Sequence, residues 1–312
     1  MGLTNFPNGV SSFGMPVLGS GGIPATTGNV FFVDSGAARA ADGNAATDPL
    51  SPAATIDGAI GKCTANNGDQ IIVLPGHTEN ITGTIAMDVA GVSVFGLGQG
   101  FSRPQVVHTG TAGIVSITAS NCRWSNIIHV ASIAAVVSAI GVSGPGTATA
   151  TQHTEIDNCR FTFDATGIEF TVMIALGDGA ANSADYVSIH DNWFEAENID
   201  GCASALLIDD CQFVHIQHNL FTGDYNSVCI DGAAGSSACL DYVITDNYVE
   251  NIDTGLAIDL DDSATGIVFN NMVSGGGALA SNVDWGACRV AQNYIADAAD
   301  VHGVDIPTTA AA

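Results

Sequence analysis

Two groups of carboxylates have the types and spacing that chemistry needs. Asp209 and Asp210 are adjacent and precede Cys211. Glycosidic cleavage uses two carboxyl groups, one acting as acid and the other as base or nucleophile, so these two are the first candidates for catalysis. Asp259-Leu260-Asp261-Asp262 places three carboxylates at one turn. Calcium takes about six to eight oxygens, and Asp231 or Asp284 on neighbouring segments could add to that set. The spacing is not that of an EF-hand loop, and a solvated acidic turn is the competing reading. Ca2+ is thus the one cofactor candidate in a chain otherwise expected to need none. No Lys or Arg occurs between Arg160 and Arg289. Cleavage of acidic glycans draws on a cation to offset the substrate carboxylate, so this stretch argues against catalysis. Hydrolysis of a neutral glycan stays open.

Whatever these carboxylates do, a repeat must position them. An aliphatic residue followed by x-Asp-Asn-x-aromatic recurs at Ile156–Phe161 and Ile189–Phe194, then at Ile216–Phe221 and Ile244–Val249. Looser copies are Val268–Val273 and Val290–Ile295. Aligned on the second Asn, the copies place Asn158, Asn192, Asn219, Asn247, Asn271 and Asn293 in one column, with steps of 34, 27, 28, 24 and 22 residues. Each copy alternates apolar and polar residues, which is strand patterning, and Gly, Asn, Asp and Ser clusters between copies are turn chemistry. A period in the twenties built of strands and turns marks a solenoid. The recurrent Asn has a structural job there, since its amide both donates and accepts and can bond from coil to coil. A second column reads Ile208-Asp209, Ile230-Asp231, Ile258-Asp259 and Val283-Asp284. Its aliphatics are expected inward and its aspartates along one acidic edge.

The N-terminal half continues the pattern. Asn29 to Gly36 reads as an opening strand and turn. Ser51-Pro52 followed by Ala53 to Ile60 reads as a short helix near 52–62, with Ser51 as N-cap and Pro52 at the first helical position. Gly68-Asp69-Gln70-Ile71-Ile72-Val73-Leu74-Pro75-Gly76 reads as turn, buried strand, turn. This order resembles the entry segment of right-handed parallel β-helix proteins of the pectate-lyase-like superfamily. There a strand and a short helix cap the solenoid ahead of a Gly-Asp-x-Ile-x-Val-x-Pro-Gly stretch. The resemblance covers roughly residues 29–296 and implies an all-β fold. It does not fix function, because the superfamily holds lyases, hydrolases, phage tailspikes and structural proteins. Asp209-Asp210-Cys211 also looks like the paired-Asp element of polygalacturonase-like hydrolases. Those enzymes carry Gly-His-Gly and Arg-x-Lys on following coils, whereas the next coil here reads Cys229-Ile230-Asp231-Gly232.

Lys and Arg total 6 against 32 Asp and Glu, a formal charge of −26. Nucleic acid and anionic membranes demand a basic face and are excluded as partners. Ile127 to Val142 is too short and too interrupted by His129, Ser132 and Ser138 for a membrane span and is expected to form buried strands. The start, Met1-Gly2-Leu3-Thr4-Asn5-Phe6, lacks the basic residues and apolar segment of an export signal. The 8 cysteines form no CxxC pair and are expected as buried free thiols.

Residues 1–28 carry no charge and combine Phe6, Phe13, Met15 and Leu18 with Gly and Pro. They suit an extended arm that folds onto a partner, or one that packs on its own solenoid. The opening Gly-Leu-Thr-Asn-Phe-Pro-Asn-Gly-Val-Ser-Ser-Phe-Gly, joined to Gly28–Gly36, resembles β-helical virion proteins of tailed bacteriophages. That resemblance implies a capsid decoration or head-fibre protein. It would be assembled in the host cytoplasm and anchored by residues 1–28 to the major capsid protein or another virion protein, with self-association as a symmetric oligomer. The expected organisation is an arm over 1–28, a β-helix over 29–300 and a tail over 301–312. A polysaccharide-degrading enzyme such as a tailspike, and a calcium-dependent surface adhesin, are the alternatives.

Overall fold

The strands are short and alternate inward aliphatics with outward polar residues, so each coil buries one row and needs a neighbour on both sides. A computed structural model describes residues 26–143, 151–177, 183–197, 202–232, 239–253, 255–275 and 282–297. It also gives the backbone of the short strands at 11–12, 15–16 and 303–305. Three parallel sheets run through the described residues, and the chain passes from first to second to third sheet in each coil. The coil at Ser188–His190, Trp193–Glu195 and Ser204–Ile208 is representative. The fold is a right-handed parallel β-helix: the stacked strands are what the repeat implies, and the hand is what the resemblance of the entry segment implies.

Register shows how the core is filled. In the first sheet Trp124, Ile156, Ile189, Ile216, Ile244, Val268 and Val290 pair in sequence along the stack. In the second, Val106, His129, Phe161, Phe194, Phe221, Val249, Val273 and Ile295 form the inward row. The rings of Phe161, Phe194 and Phe221 stack face to face, with centroids 4.8 and 4.5 Å apart. These spacings equal the roughly 4.8 Å between hydrogen-bonded strands, so backbone and rings share one repeat. In the third sheet Val115, Ile140, Ile174, Leu206, Ile230, Ile258 and Val283 do the same. The segment Ile127 to Val142 supplies the strands Ile128–Ala131 and Val136–Val142. Among the described residues no helix is long and apolar enough to cross a membrane.

The amide column lies at the corner between the first and second sheets. The Asn219 Oδ1 accepts from the Asn192 backbone N–H at 3.0 Å and from Asn192 Nδ2 at 3.1 Å. Asn247 does the same for Asn219, Asn271 for Asn247 and Asn293 for Asn271, all between 2.9 and 3.1 Å. Each Nδ2 also donates to the carbonyl of the aliphatic residue one coil back, as Asn247 does to Ile216 at 2.9 Å. Asn158 is not part of this ladder. It is exposed with φ 54°, and the buried Cys159 takes the ladder position, its N–H bonding Asn192 Oδ1 at 2.8 Å. Asn158 falls instead in a column of left-handed turn residues: Asn126, Asn158, Asp191, His218, Asp246, Asn270 and Gln292, with φ from 54° to 59°. Asn and Asp tolerate that conformation well.

The acidic column also shifts. Leu206 pairs with Ile230 and Leu207 with Asp231. Asp231, Asp259 and Asp284 are in register, and Asp209 lies beyond the row. The cause is burial: Ile208 joins Val142 and Leu176 in a second inward row. That row meets Gly232 on the next coil, where a Cβ would lie 2.6 Å from the Tyr242 hydroxyl. The buried Tyr242 ring fills the space instead.

The entry end is closed by a helix over Ile56–Ile60, shorter than 52–62, whose N-cap is Thr55 and not Ser51. Asp42 explains the later start, because its carboxylate accepts the Ala54 and Thr55 N–H groups at 2.9 Å each and holds them out of a helix. Asp57 of the helix accepts the Ala86 N–H at 2.9 Å and Glu79 accepts the Ile56 N–H at 2.9 Å. The cap thus satisfies strand-edge and helix-end donors that would otherwise be open. At the other end Gly303–Asp305 pairs antiparallel with Asn293–Ile295, so part of the expected tail extends the second sheet.

Asn247→Ala removes a double acceptor and leaves both the buried Asn219 N–H and one Asn219 Nδ2 donor without their partner. A loss of about 2–4 kcal/mol is expected in urea denaturation. Asn158→Gly suits the left-handed turn but removes the Nδ2 donor to buried Asp157, so a net loss of about 1 kcal/mol is expected.

Candidate functional site

Charged chemistry gathers where the sequence places it far apart. Arg123 on Arg123–Ser125, Glu155 and Asp157 on Glu155–Asp157, and His190 on Ser188–His190 lie on three consecutive strands of the first sheet. Arg123 pairs in register with Glu155, and Ser125 with Asp157 and then His190. Arg123 donates to both Asp157 oxygens, from Nε at 2.8 Å and from Nη2 at 3.0 Å, and Nη1 lies 3.4 Å from Glu155. The Ser125 hydroxyl and Asn158 Nδ2 add donors to Asp157 at 2.8 and 2.6 Å. His190 bridges Glu155 through Nε2 and Asp191 through Nδ1, both at 2.9 Å. Burial opposes both cationic groups, but the carboxylates prevail. The Arg123 guanidinium and the His190 imidazole are held above their ordinary pKa values.

One ligand atom each from Glu155, Asp157 and His190 falls within 4.8 Å of the others, the one such metal-type grouping among the described residues. Its positive charge is already supplied by Arg123, and Asp157 is fully enclosed by four donors. Beside it, Arg160 stacks over the Trp193 ring at 4.4 Å and donates to Glu195 at 2.6 Å. Arg103 donates to the Asn158 carbonyl at 2.6 Å. Three of the chain's 6 basic residues therefore stitch coils together, Arg123 and Arg160 to the next coil and Arg103 across two.

The residues singled out from sequence do not assemble in this way. Asp209 follows the strand Ser204–Ile208, and Asp210 is buried in a left-handed turn at φ 54°. Asp259 sits on the third sheet between Asp231 and Asp284, and burial, then Asp284, Asp231 and Asp262, raise its pKa. Asp261 turns back to its own loop, accepting from the Ser263 N–H at 2.8 Å and hydroxyl at 2.6 Å. These bonds lower its pKa. The described geometry does not draw Asp259, Asp261 and Asp262 into one ligand set. The side chains of Phe6, Phe13, Met15 and Leu18 lie outside the described residues, although Ser11–Ser12 and Met15–Pro16 pair antiparallel through their backbones.

Two features escape sequence reading. Outside the second sheet, Trp193, Leu220, Tyr248, Met272 and Tyr294 form one in-register stripe. They are 36 to 56 % exposed, and an aromatic recurs at every second coil. The signal was the residue after each ladder Asn, read as x in the motif. In the core, Trp124 Nε1 donates to His129 Nε2 at 2.9 Å, and His129 and His108 join at 3.1 Å. His108 Nδ1 reaches the Gly113 carbonyl at 2.8 Å. Burial lowers both imidazoles, His108 to about 4, so the chain of bonds is a neutral one. Glu169 is perturbed as well. Burial first, with Glu197 and Asp224 nearby, raises its carboxyl to about 7.

No family model and no curated protein matches the chain. Among solved structures it is similar to a rhamnogalacturonan lyase at 12% identity and a TM-score of 0.45, over 85% of this chain and 87% of that one.

Arg123→Gln leaves Asp157 buried without its cation and should cost about 3 kcal/mol in urea denaturation. Arg160→Gln, at a partly exposed pair, should cost about 1 kcal/mol or less. For Glu169 the folded pKa is raised, so its contribution is present below the unfolded value, near pH 4.5, and is lost as pH rises through about 7. Glu169→Gln should therefore melt higher than the native chain at pH 8, a gain that vanishes towards pH 4.5.

Proposed function

We propose that this chain is a non-enzymatic structural protein of a tailed-phage virion, a capsid decoration or head-fibre protein. The observation that carries the non-enzymatic part is the self-contained Arg123–Glu155–Asp157–His190 cluster. Its charges are spent on one another across consecutive coils, where a catalytic site would aim them at a substrate. The Asn ladder and stacked core supply rigidity along the coil axis, as a projecting rod requires. The formal charge of −26 favours solubility and disfavours nucleic acid and anionic membranes. Docking is assigned to the uncharged arm, residues 1–28, against the major capsid protein or another virion protein, and the oligomer is a symmetric one. The location is the virion, assembled in the host cytoplasm.

A second reading has its own observation. Trp193, Tyr248 and Tyr294 recur at every second coil of the exposed stripe. An extended glycan with a two-fold screw presents the same sugar face at every second residue, and aromatic side chains stack on such faces. This favours a glycan-binding or glycan-cleaving solenoid. The calcium-dependent adhesin is the third reading, resting on the acidic turn at Asp259–Asp262.

Removing residues 1–28 should leave the melting transition intact and abolish binding to virions in co-sedimentation. A truncated chain that still decorates particles would refute the anchoring role. Incubation with uronate and neutral glycans should yield neither unsaturated products nor new reducing ends. A glycan that is retarded by the native chain and not by Trp193→Ala would favour the second reading, and a fall in melting temperature with EDTA the third.

A further inference from the structure

Of the eight cysteines, all free, Cys211 and Cys239 stand apart. They occupy equivalent places on consecutive coils, at the corner between the third and first sheets. Their following residues, Gln212 and Leu240, pair in parallel. Both are buried, at 1% and 0% exposure. The Cys239 sulfur accepts the Cys211 backbone N–H at 3.1 Å, as each ladder Asn accepts at the opposite corner. The Cys211 thiol itself donates to the Asp209 carbonyl at 3.3 Å. The Tyr242 hydroxyl, buried without a partner of standard geometry, lies beside the Cys239 sulfur. The Cys239 sulfur thus holds one backbone donor, with the Tyr242 hydroxyl beside it. The Cys211 thiol, foremost, and the Tyr242 hydroxyl outweigh burial and lower the Cys239 thiol, while Cys211 is raised. The backbone N–H held on the Cys239 sulfur favours its thiolate, which makes Cys239 the nucleophile and Cys211 the resolving thiol.

We propose that Cys211 and Cys239 are an oxidisable pair that closes into a disulfide between two consecutive coils. The paired backbone spacing of about 4.8 Å lies inside the roughly 4.4–6.8 Å Cα range that a disulfide spans. With a hydroperoxide as oxidant, the Cys239 thiolate attacks the terminal peroxide oxygen. The O–O bond breaks, and the departing oxygen takes a proton and leaves as water or alcohol. The resulting Cys239 sulfenic acid is attacked by the Cys211 sulfur. The S–S bond forms as the S–O bond breaks, and the hydroxyl leaves with the Cys211 proton as water. Two thiols lose two electrons and the peroxide gains them. The crosslink would clamp the coil containing Ser204–Ile208 to the coil containing Val228–Gly232, with the Gln212–Leu240 bridge beside it. Such a bond persists in an oxidising exterior and not in a reducing cytoplasm.

The test uses the full-length chain, purified under reductant, exposed to hydrogen peroxide and mapped by mass spectrometry without reduction. Expected are a peptide joined through Cys211 and Cys239, an intact mass lower by two hydrogens, and a melting temperature that rises and returns with dithiothreitol. Cys211→Ser should stop at an oxygenated Cys239 sulfur. Met272, at 56% exposure, reports the dose through its sulfoxide. Met272 sulfoxide with Cys211 and Cys239 still free would overturn the proposal. So would preferential joining of another pair such as Cys202 and Cys229. The peptide map of the native chain needs no variant, so its outcome does not depend on how the substituted chain folds.

Discussion

A β-coil cannot satisfy itself. Every strand here leaves N–H and C=O groups on both edges, and an inward row of side chains bare on both faces, until another coil arrives. The structure is the consequence of meeting that demand repeatedly at one spacing. Backbone pairing sets the step, and whatever else is repeated must conform to it. The stacked Phe161, Phe194 and Phe221 rings do so, and so does the run of amides from Asn192 to Asn293. The amides stand where the chain turns from one sheet to the next, at the point where strand pairing lapses. Each supplies the acceptor and donor that the turn backbone lacks, so the corner is as fully bonded as the sheets.

Electrostatics is arranged around the same step, with two outcomes. On the first sheet, opposite charges fall on successive coils, and Arg123, Asp157, Glu155 and His190 tie them together. On the third sheet, like charges fall on successive coils at Asp231, Asp259 and Asp284, where they oppose stacking. The rise in the Asp259 pKa reflects that opposition after burial. The stack tolerates it because the inward rows beneath, Leu206 to Val283, are in unbroken register.

Much of this architecture is legible in the amino-acid order. The aliphatic that opens each motif copy, from Ile156 to Val290, does form one inward row, because alternation in a strand fixes which side chains face in. The stretch Gln70–Val73 is the fully buried strand expected between Gly68 and Gly76. The departures lie in the turns. Asn is suited both to the left-handed turn position and to the ladder position beside it. Aligning copies on Asn therefore puts Asn158 in the wrong column, where aligning on Ile156 and Ile189 matches Cys159 with Asn192. Asp209 departs from its expected row for a related reason, because Leu206 and Ile208 are equally good inward residues and only stacking decides which joins the Ile230 row. The Arg123 cluster is invisible in the sequence. Its bonded partners on successive coils are 32 to 35 residues apart, and only coil length brings them together.

The turn amides, and not the sheets alone, hold consecutive coils in register. Residue-resolved hydrogen exchange on the intact chain reads this out. The backbone amides of Asn192, Asn219, Asn247 and Asn271, each donating to the next side chain, should exchange as slowly as the central strand amides around Ile216 and Phe221. Exchange at those four positions as fast as at the exposed turn residue Asp262, while the strands stay protected, would contradict it.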